Sequence, residues 1–154
     1  MIMTDDEYEF TQEWVGKFQA ALDHVRRLLS ESEGDGDDNT RKLRKIEASA
    51  FQYQIEKLQT ELAEYDTLRS GERIVVKLNS LADLPRTLIK ARITAGLTQR
   101  DLAERLDVDE EQVQRDEETE YESATVGRLI DIADILGLTL GTEIALPVRS
   151  AQAA

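Results

Sequence analysis

Cysteine is absent from this chain. That excludes disulfides, thiolate metal sites and a cysteine nucleophile, and it suits a reducing cytoplasm. Aromatic residues make up only 5% of the composition. No apolar run approaches the ~20 residues that a membrane span requires. The start, "MIMTDDEYEF", lacks a basic region followed by an apolar core, so it does not read as a secretory signal. No glycine-rich phosphate loop is present, which argues against a nucleotide site. Positive charge is also short: 19 Lys and Arg stand against 32 Asp and Glu, a formal net charge of −13. Such a chain is repelled by nucleic acid and by anionic membrane at long range, so any contact with DNA must be local and geometric.

Hydrophobic residues supply 40% of 154 residues, enough for one domain or two small ones. In residues 6–30, Phe10, Trp14, Phe18, Leu22, Val25 and Leu28 recur in steps of three and four, one face of a helix. The stretch "SESEGDGDDNT" has no apolar residue and reads as a loop, with Thr40 as the cap of the next element. A second series runs Leu43, Ile46, Ala50, Tyr53, then Ile55, Leu58, Leu62, Tyr65 and Leu68, with Gly71 as the stop. Residues 1–72 are therefore expected to form an antiparallel helical hairpin that serves dimerisation or partner binding. Phe10, Trp14, Leu58, Leu62 and Tyr65 carry more apolar surface than one short hairpin can hide, which predicts a homodimer.

Residues 73–148 are expected to hold a strand and a compact helical domain, with residues 149–154 as a frayed tail. "RIVVKL" (73–78) and "LTLGTEIAL" (138–146) are β-rich and could pair within or between chains. The expected fold is mainly α, with one or two short β-strands.

Between them, Pro85 suits a first helical turn, and Leu88, Ile89 and Ile93 form a buried side. Thr98 and Asp101 stand at capping-box spacing before "LAERL". Ala103 is small where two helices cross closely, and Asp107 stands where a tight turn needs a left-handed residue. Asp109 is placed to cap a third helix anchored by Val113. A last helix is expected to turn Val126, Leu129, Ile130, Ala133 and Leu136 inward, with Gly137 as its stop.

The stretch "LIKARITAGLTQRDLAERLDVDEEQVQRDEE...TVGRLIDIADILGL" resembles the Xre family of lambda-repressor/Cro-like helix-turn-helix domains over roughly residues 84–138. The GLTQ opening, the L-A-x-x-L, the V-x-R-x-E and the L-x-x-I-A-x-x-L-G all fall in register. The upstream "QIEKLQTELAEYDTLRSGE" resembles the leader helix of a subgroup that includes HigA-type antitoxins. The resemblance implies a dimer that binds double-stranded DNA with its third helix in the major groove, and a cytoplasmic transcription regulator whose partner could be a toxin. It implies that Gln99 touches a phosphate and that Gln112, Gln114 and Arg115 face bases or backbone; Arg100, as a phosphate cation, and Glu111, as an acceptor from cytosine, complete the candidate DNA contacts. It further implies a partly buried structural bridge between Arg92 and Glu117.

Two features depart from the family pattern. Asp116 stands where an aromatic or aliphatic residue is usual, and Glu110 and Glu111 occupy the leading edge of the reading helix. Residues 81–146 carry seven basic and fifteen acidic side chains, a net of −8, whereas counterion release needs Lys or Arg at phosphates. The candidates are Arg86, Lys90, Arg100, Arg105, Arg115 and Arg128. A rival reading follows: an acidic interaction module that uses the fold to hold a basic partner such as a toxin, without DNA.

Smaller signals read plainly. His24 is the sole histidine; a catalytic base would need both a nucleophile and an orienting group near it, and the plain reading is a surface or half-packed side chain. The acidic loop lacks the twelfth-position Glu of a calcium loop; Lys42 or Arg44 stands there. Neither a metal, a cofactor nor an enzyme is expected.

Overall fold

The computed structural model describes residues 1–31, 37–72 and 74–141. Among these the architecture is all-α. Helix α1 (Asp5–Glu31) and helix α2 (Asp38–Arg69) form the antiparallel hairpin, and a single 3-10 turn (Leu81–Asp83) leads into α3 (Leu84–Thr94), α4 (Gln99–Leu106), α5 (Glu110–Glu118) and α6 (Val126–Ile135).

The hairpin is held by a narrow seam. Leu22 and Val25 of α1 and Ile55 of α2 are buried. Phe18 meets Phe51 at 6.0 Å between ring centroids, and Tyr8 meets Tyr65 at 5.4 Å. Asp37 caps α2, accepting from the amides of Asn39 and Thr40, so Thr40 lies in the first turn and is not the cap. A carboxylate three residues earlier satisfies two of the free amides that open a helix, and the helix starts there. The α2 stripe changes face between Tyr53 and Ile55. The later residues meet α1 and the domain beyond, while Leu43, Ile46 and Tyr53 are left exposed.

The expected strands are not formed. Residues 74–78 carry no ladder, and residues 138–141 are irregular; the remainder of the second β-rich stretch and the tail at 149–154 lie outside the described residues. β-Branched side chains favour an extended backbone, yet a strand exists only where a neighbour takes its N–H and C=O groups. Ile74 packs on the core instead, and Val75 and Val76 are exposed.

The core lies among α3–α6. It gathers Leu88, Ile89, Ile93, Leu102, Ala103, Val113, Ile132 and Ala133, and it also takes Tyr65 and Leu68 from α2 and Ile2. The end of the hairpin is therefore continuous with the domain core. The inward face of α6 differs from the expected one: Ile132 is fully buried, whereas Val126 and Ile130 are 73% and 54% exposed. Leu129, Ile132, Ala133 and Leu136 share one helical face, and Val126 and Ile130 fall at its edge.

Candidate nucleic-acid interface

Helices α4 and α5 are joined by a tight turn whose geometry is set by single residues. Thr98 opens α4 with a full capping box: its hydroxyl accepts from the Asp101 amide at 3.0 Å, and its own amide donates to Asp101 Oδ2 at 2.8 Å. The Thr98 hydroxyl, at 2.7 Å, and the Thr98 amide both donate to the Asp101 carboxylate, which favours its ionised form and holds it below its usual range. Asp107 ends α4 in the left-handed region, φ 54°, ψ 48°, and its amide reaches back to the carbonyls of Ala103 and Glu104. Ala103 is buried there; a larger side chain would force the two helices apart, a change that typically costs ~1–3 kcal/mol. Asp109 takes the extended backbone of a cap, but its side chain makes no capping bond. Val113 anchors α5 to the core.

Beneath α5 lies a buried polar cluster. Arg92 donates to Glu117 through Nε and Nη2, each at 2.6 Å, and also to the carbonyls of Leu97 (2.8 Å) and Met3 (3.0 Å). Gln99 Nε2 donates to Glu117 Oε2 at 2.8 Å. Gln99 is thus held inward on the bridge, at 9% exposure, where the resemblance implies a phosphate contact. Burial of the guanidinium and the carboxylate is tolerable because each is paired and hydrogen-bonded on several sides.

Asp116 is buried as well, in the place where an apolar residue was expected. It accepts from Gln112 Nε2 at 2.7 Å and from Arg128 at 3.3 Å. A polar triad fills the site that a ring would otherwise fill. This cluster was not found from sequence; the unusual Asp116 was its only signal.

The outward side of α5 carries Glu110, Glu111, Gln114, Arg115 and Glu118. Arg115 lies 3.6 Å from Glu111 and 3.3 Å from Gln112 Oε1, and Gln114 Nε2 donates to Glu110 at 3.2 Å. On α4, Arg100 is exposed and pairs with Glu104 at 3.2 Å. The other candidate cations are largely committed: Arg86 to Glu120, Lys90 to Glu64 and Arg128 to Asp116. Arg105 is exposed and has no carboxylate within ion-pair distance among the described residues. A groove of about 520 Å³ beside α5 is lined by Asp5, Asp6 and Glu7, by Arg69 and Arg92, and by Glu110, Gln114 and Glu118.

The structure thus gathers Gln112, Gln114, Arg115 and Glu111 on or beside one helix face, with Arg100 on the preceding helix, and turns Gln99 away from it. Chemically this face offers two amides and two guanidinium groups among several carboxylates. Gln pairs bidentately with adenine, Arg with guanine or phosphate, and Glu accepts from cytosine N4.

Among the described residues no helix is long and apolar enough to cross a membrane, and no cluster of side chains is arranged to hold a metal ion. Residues 88–142 match a helix-turn-helix family model, which supports an Xre/lambda-repressor-like helix-turn-helix for this part of the chain. No curated protein and no solved structure matches the chain significantly.

Proposed function

We propose that this chain, which carries a helix-turn-helix domain over α3–α6, is a sequence-specific DNA-binding transcription regulator acting as a cytoplasmic homodimer. The carrying observation is the geometry of α4, the Asp107 turn and α5, which is locked from below by Arg92, Glu117 and Gln99 and leaves the Gln114–Arg115 edge of α5 outward. A reading helix must be rigid and must expose its donors and acceptors, and α5 meets both conditions. Residues 1–72 serve assembly, and residues 73–148 contain the reading domain. An antitoxin that represses its own operon is the specific role we assign.

The acidic face sets the character of the interaction. With few free cations, nonspecific affinity is low and recognition depends on base edges met by Gln112, Gln114 and Arg115. Fluorescence anisotropy at low salt, with duplexes tiled across the DNA upstream of the chain's own gene, tests the proposal. One duplex should bind with clear preference over shuffled DNA. Equal, negligible binding to every duplex would refute it.

A second reading is favoured by one observation: Asp5, Asp6 and Glu7 of α1 and Glu110 and Glu118 of α5 line the same groove, where Arg69 pairs with Asp5 and leaves the acids in excess. That excess of carboxylates suits a basic protein such as a toxin. Under this reading the module binds a cationic partner encoded nearby and no DNA.

A further inference from the structure

Helix α2 has two apolar faces, and only one is used within the chain. Ile55, Tyr65 and Leu68 are buried against α1 and the domain core. Leu43, Ile46 and Tyr53 are 60–66% exposed, and Ala50 beside them is exposed too. These four follow a 3-4-3 spacing, about three turns of the heptad pattern by which helices pair with one another. Asn39 and Lys57 continue the same face and close the seam with polar residues at each end.

We propose that this seam is where a second copy of the chain docks, α2 against α2, in a parallel two-fold arrangement. Charge complementarity selects the occupant. Lys42 flanks Leu43 on one side of the seam, and Glu47 follows Ile46 on the other. In a parallel, in-register pair these are the flanking positions that meet across the interface, so Lys42 of each copy faces Glu47 of the other, once on each side of the dyad. Lys42 holds Asp38 in an exposed pair, which contributes little and exchanges readily. An antiparallel pair would bring Lys42 toward Glu56 but would place the two Glu47 carboxylates against each other at the dyad.

The orientation also rests on the DNA reading. About 24 Å of helix separates Tyr53 from Arg69. A parallel pair therefore sends both helix-turn-helix domains to the same end of the assembly, as two half-sites about 34 Å apart require. An antiparallel pair sends them to opposite ends.

Sedimentation equilibrium on the full chain tests this without DNA, so its outcome is separate from that of the binding assay. The wild type should be a dimer. Ile46→Glu should weaken self-association roughly 100-fold, because two carboxylates would be buried in the seam. Its circular dichroism should match the wild type, since Ile46 is 66% exposed in one copy. Val75→Glu, at an exposed apolar residue away from the seam, should remain dimeric. Because the chain has no cysteine, Asn39→Cys gives an unambiguous reporter of orientation. It should form an intermolecular disulfide under mild oxidation, as parallel pairing brings the two sulfurs together and antiparallel pairing holds them roughly 27 Å apart. A wild type that stays monomeric at about 100 μM overturns the proposal. So does an Ile46→Glu chain that associates like the wild type, or a Val75→Glu chain that alone dissociates. A dimer in which Asn39→Cys does not cross-link overturns the parallel arrangement.

Discussion

Arg92 of α3 and Glu117 of α5 meet side-on, through Nε and Nη2, in two hydrogen bonds of 2.6 Å, and their side chains are 3% and 0% exposed. Sequence alone suggests a partly buried bridge; the pair is fully enclosed. Removing one partner leaves the other charged and uncompensated in the interior, which costs ~3–5 kcal/mol. Glu117→Ala should therefore lower the urea midpoint by a large fraction of a small domain's stability, and Gln99 would lose its acceptor with it. A midpoint unchanged by Glu117→Ala would mean that the bridge is not formed in solution.

Asp107 ends α4 with a φ of 54°. Aspartate tolerates this region better than most residues, and glycine better still. Asp107→Gly should raise stability by a few tenths to about 1 kcal/mol, the gain being offset in part by the freer unfolded chain. Asp107→Val should lower it by more than about 1 kcal/mol, since a β-branched side chain is strained at positive φ. Chemical denaturation of the pair gives two shifts of opposite sign, and shifts of the same sign would contradict the turn described here.

The capping box of α4 makes a pH prediction. The Asp101 carboxyl is held below its ordinary value of 3.8, first by the Thr98 hydroxyl and then by the Thr98 amide. A depressed carboxylate stabilises the fold fully above that ordinary value. Its contribution is lost as pH falls through the lower, folded-state value. Asp101→Ala should melt earlier than the wild type at pH 7, and the gap between them should narrow as pH falls below about 4. Melting curves at pH 7, 4 and 3 read this directly; a gap that is independent of pH would remove the ionised cap.

Glu110 and Glu111 begin α5, where negative charge complements the helix dipole by about 0.3–1 kcal/mol each. The same charges oppose a phosphate backbone. Replacing both by Gln should destabilise the fold slightly yet tighten DNA binding and steepen its salt dependence. Arg115→Ala should do the reverse, weakening the preferred site by ~1–3 kcal/mol with little change in stability. Anisotropy titrations at two salt concentrations separate the effects. If the Gln pair leaves DNA binding unaltered but abolishes capture of a basic protein, the second reading takes precedence.

Local signals determined much of this protein. The steps of three and four residues along α1 and α2 marked both helices, Thr98 and Asp101 marked the start of α4, and Asp107 marked its left-handed end. Each is a preference that a short segment satisfies with its own atoms, so it is legible without knowledge of the fold. The pairing of Arg92 with Glu117 was also within reach, through the family resemblance of the stretch around them. What the tertiary structure decided was how each side chain is shared. Residues 74–78 carry the composition of a strand, yet none forms, because a strand needs a neighbour and the described residues supply none. Val126 and Ile130 are as apolar as Ile132, but the packing of α6 on α3 and α4 buries only Ile132. Gln99 is turned inward by Glu117, a residue 18 positions away, and Asp116 is buried because Gln112 and Arg128 satisfy it. Leu43, Ile46 and Tyr53 belong to the same amphipathic run as Ile55 and Leu58, and only the position of α1 divides that run into a covered face and an open one. Period and capping are properties of a segment; burial and pairing are properties of whatever the rest of the chain brings against it.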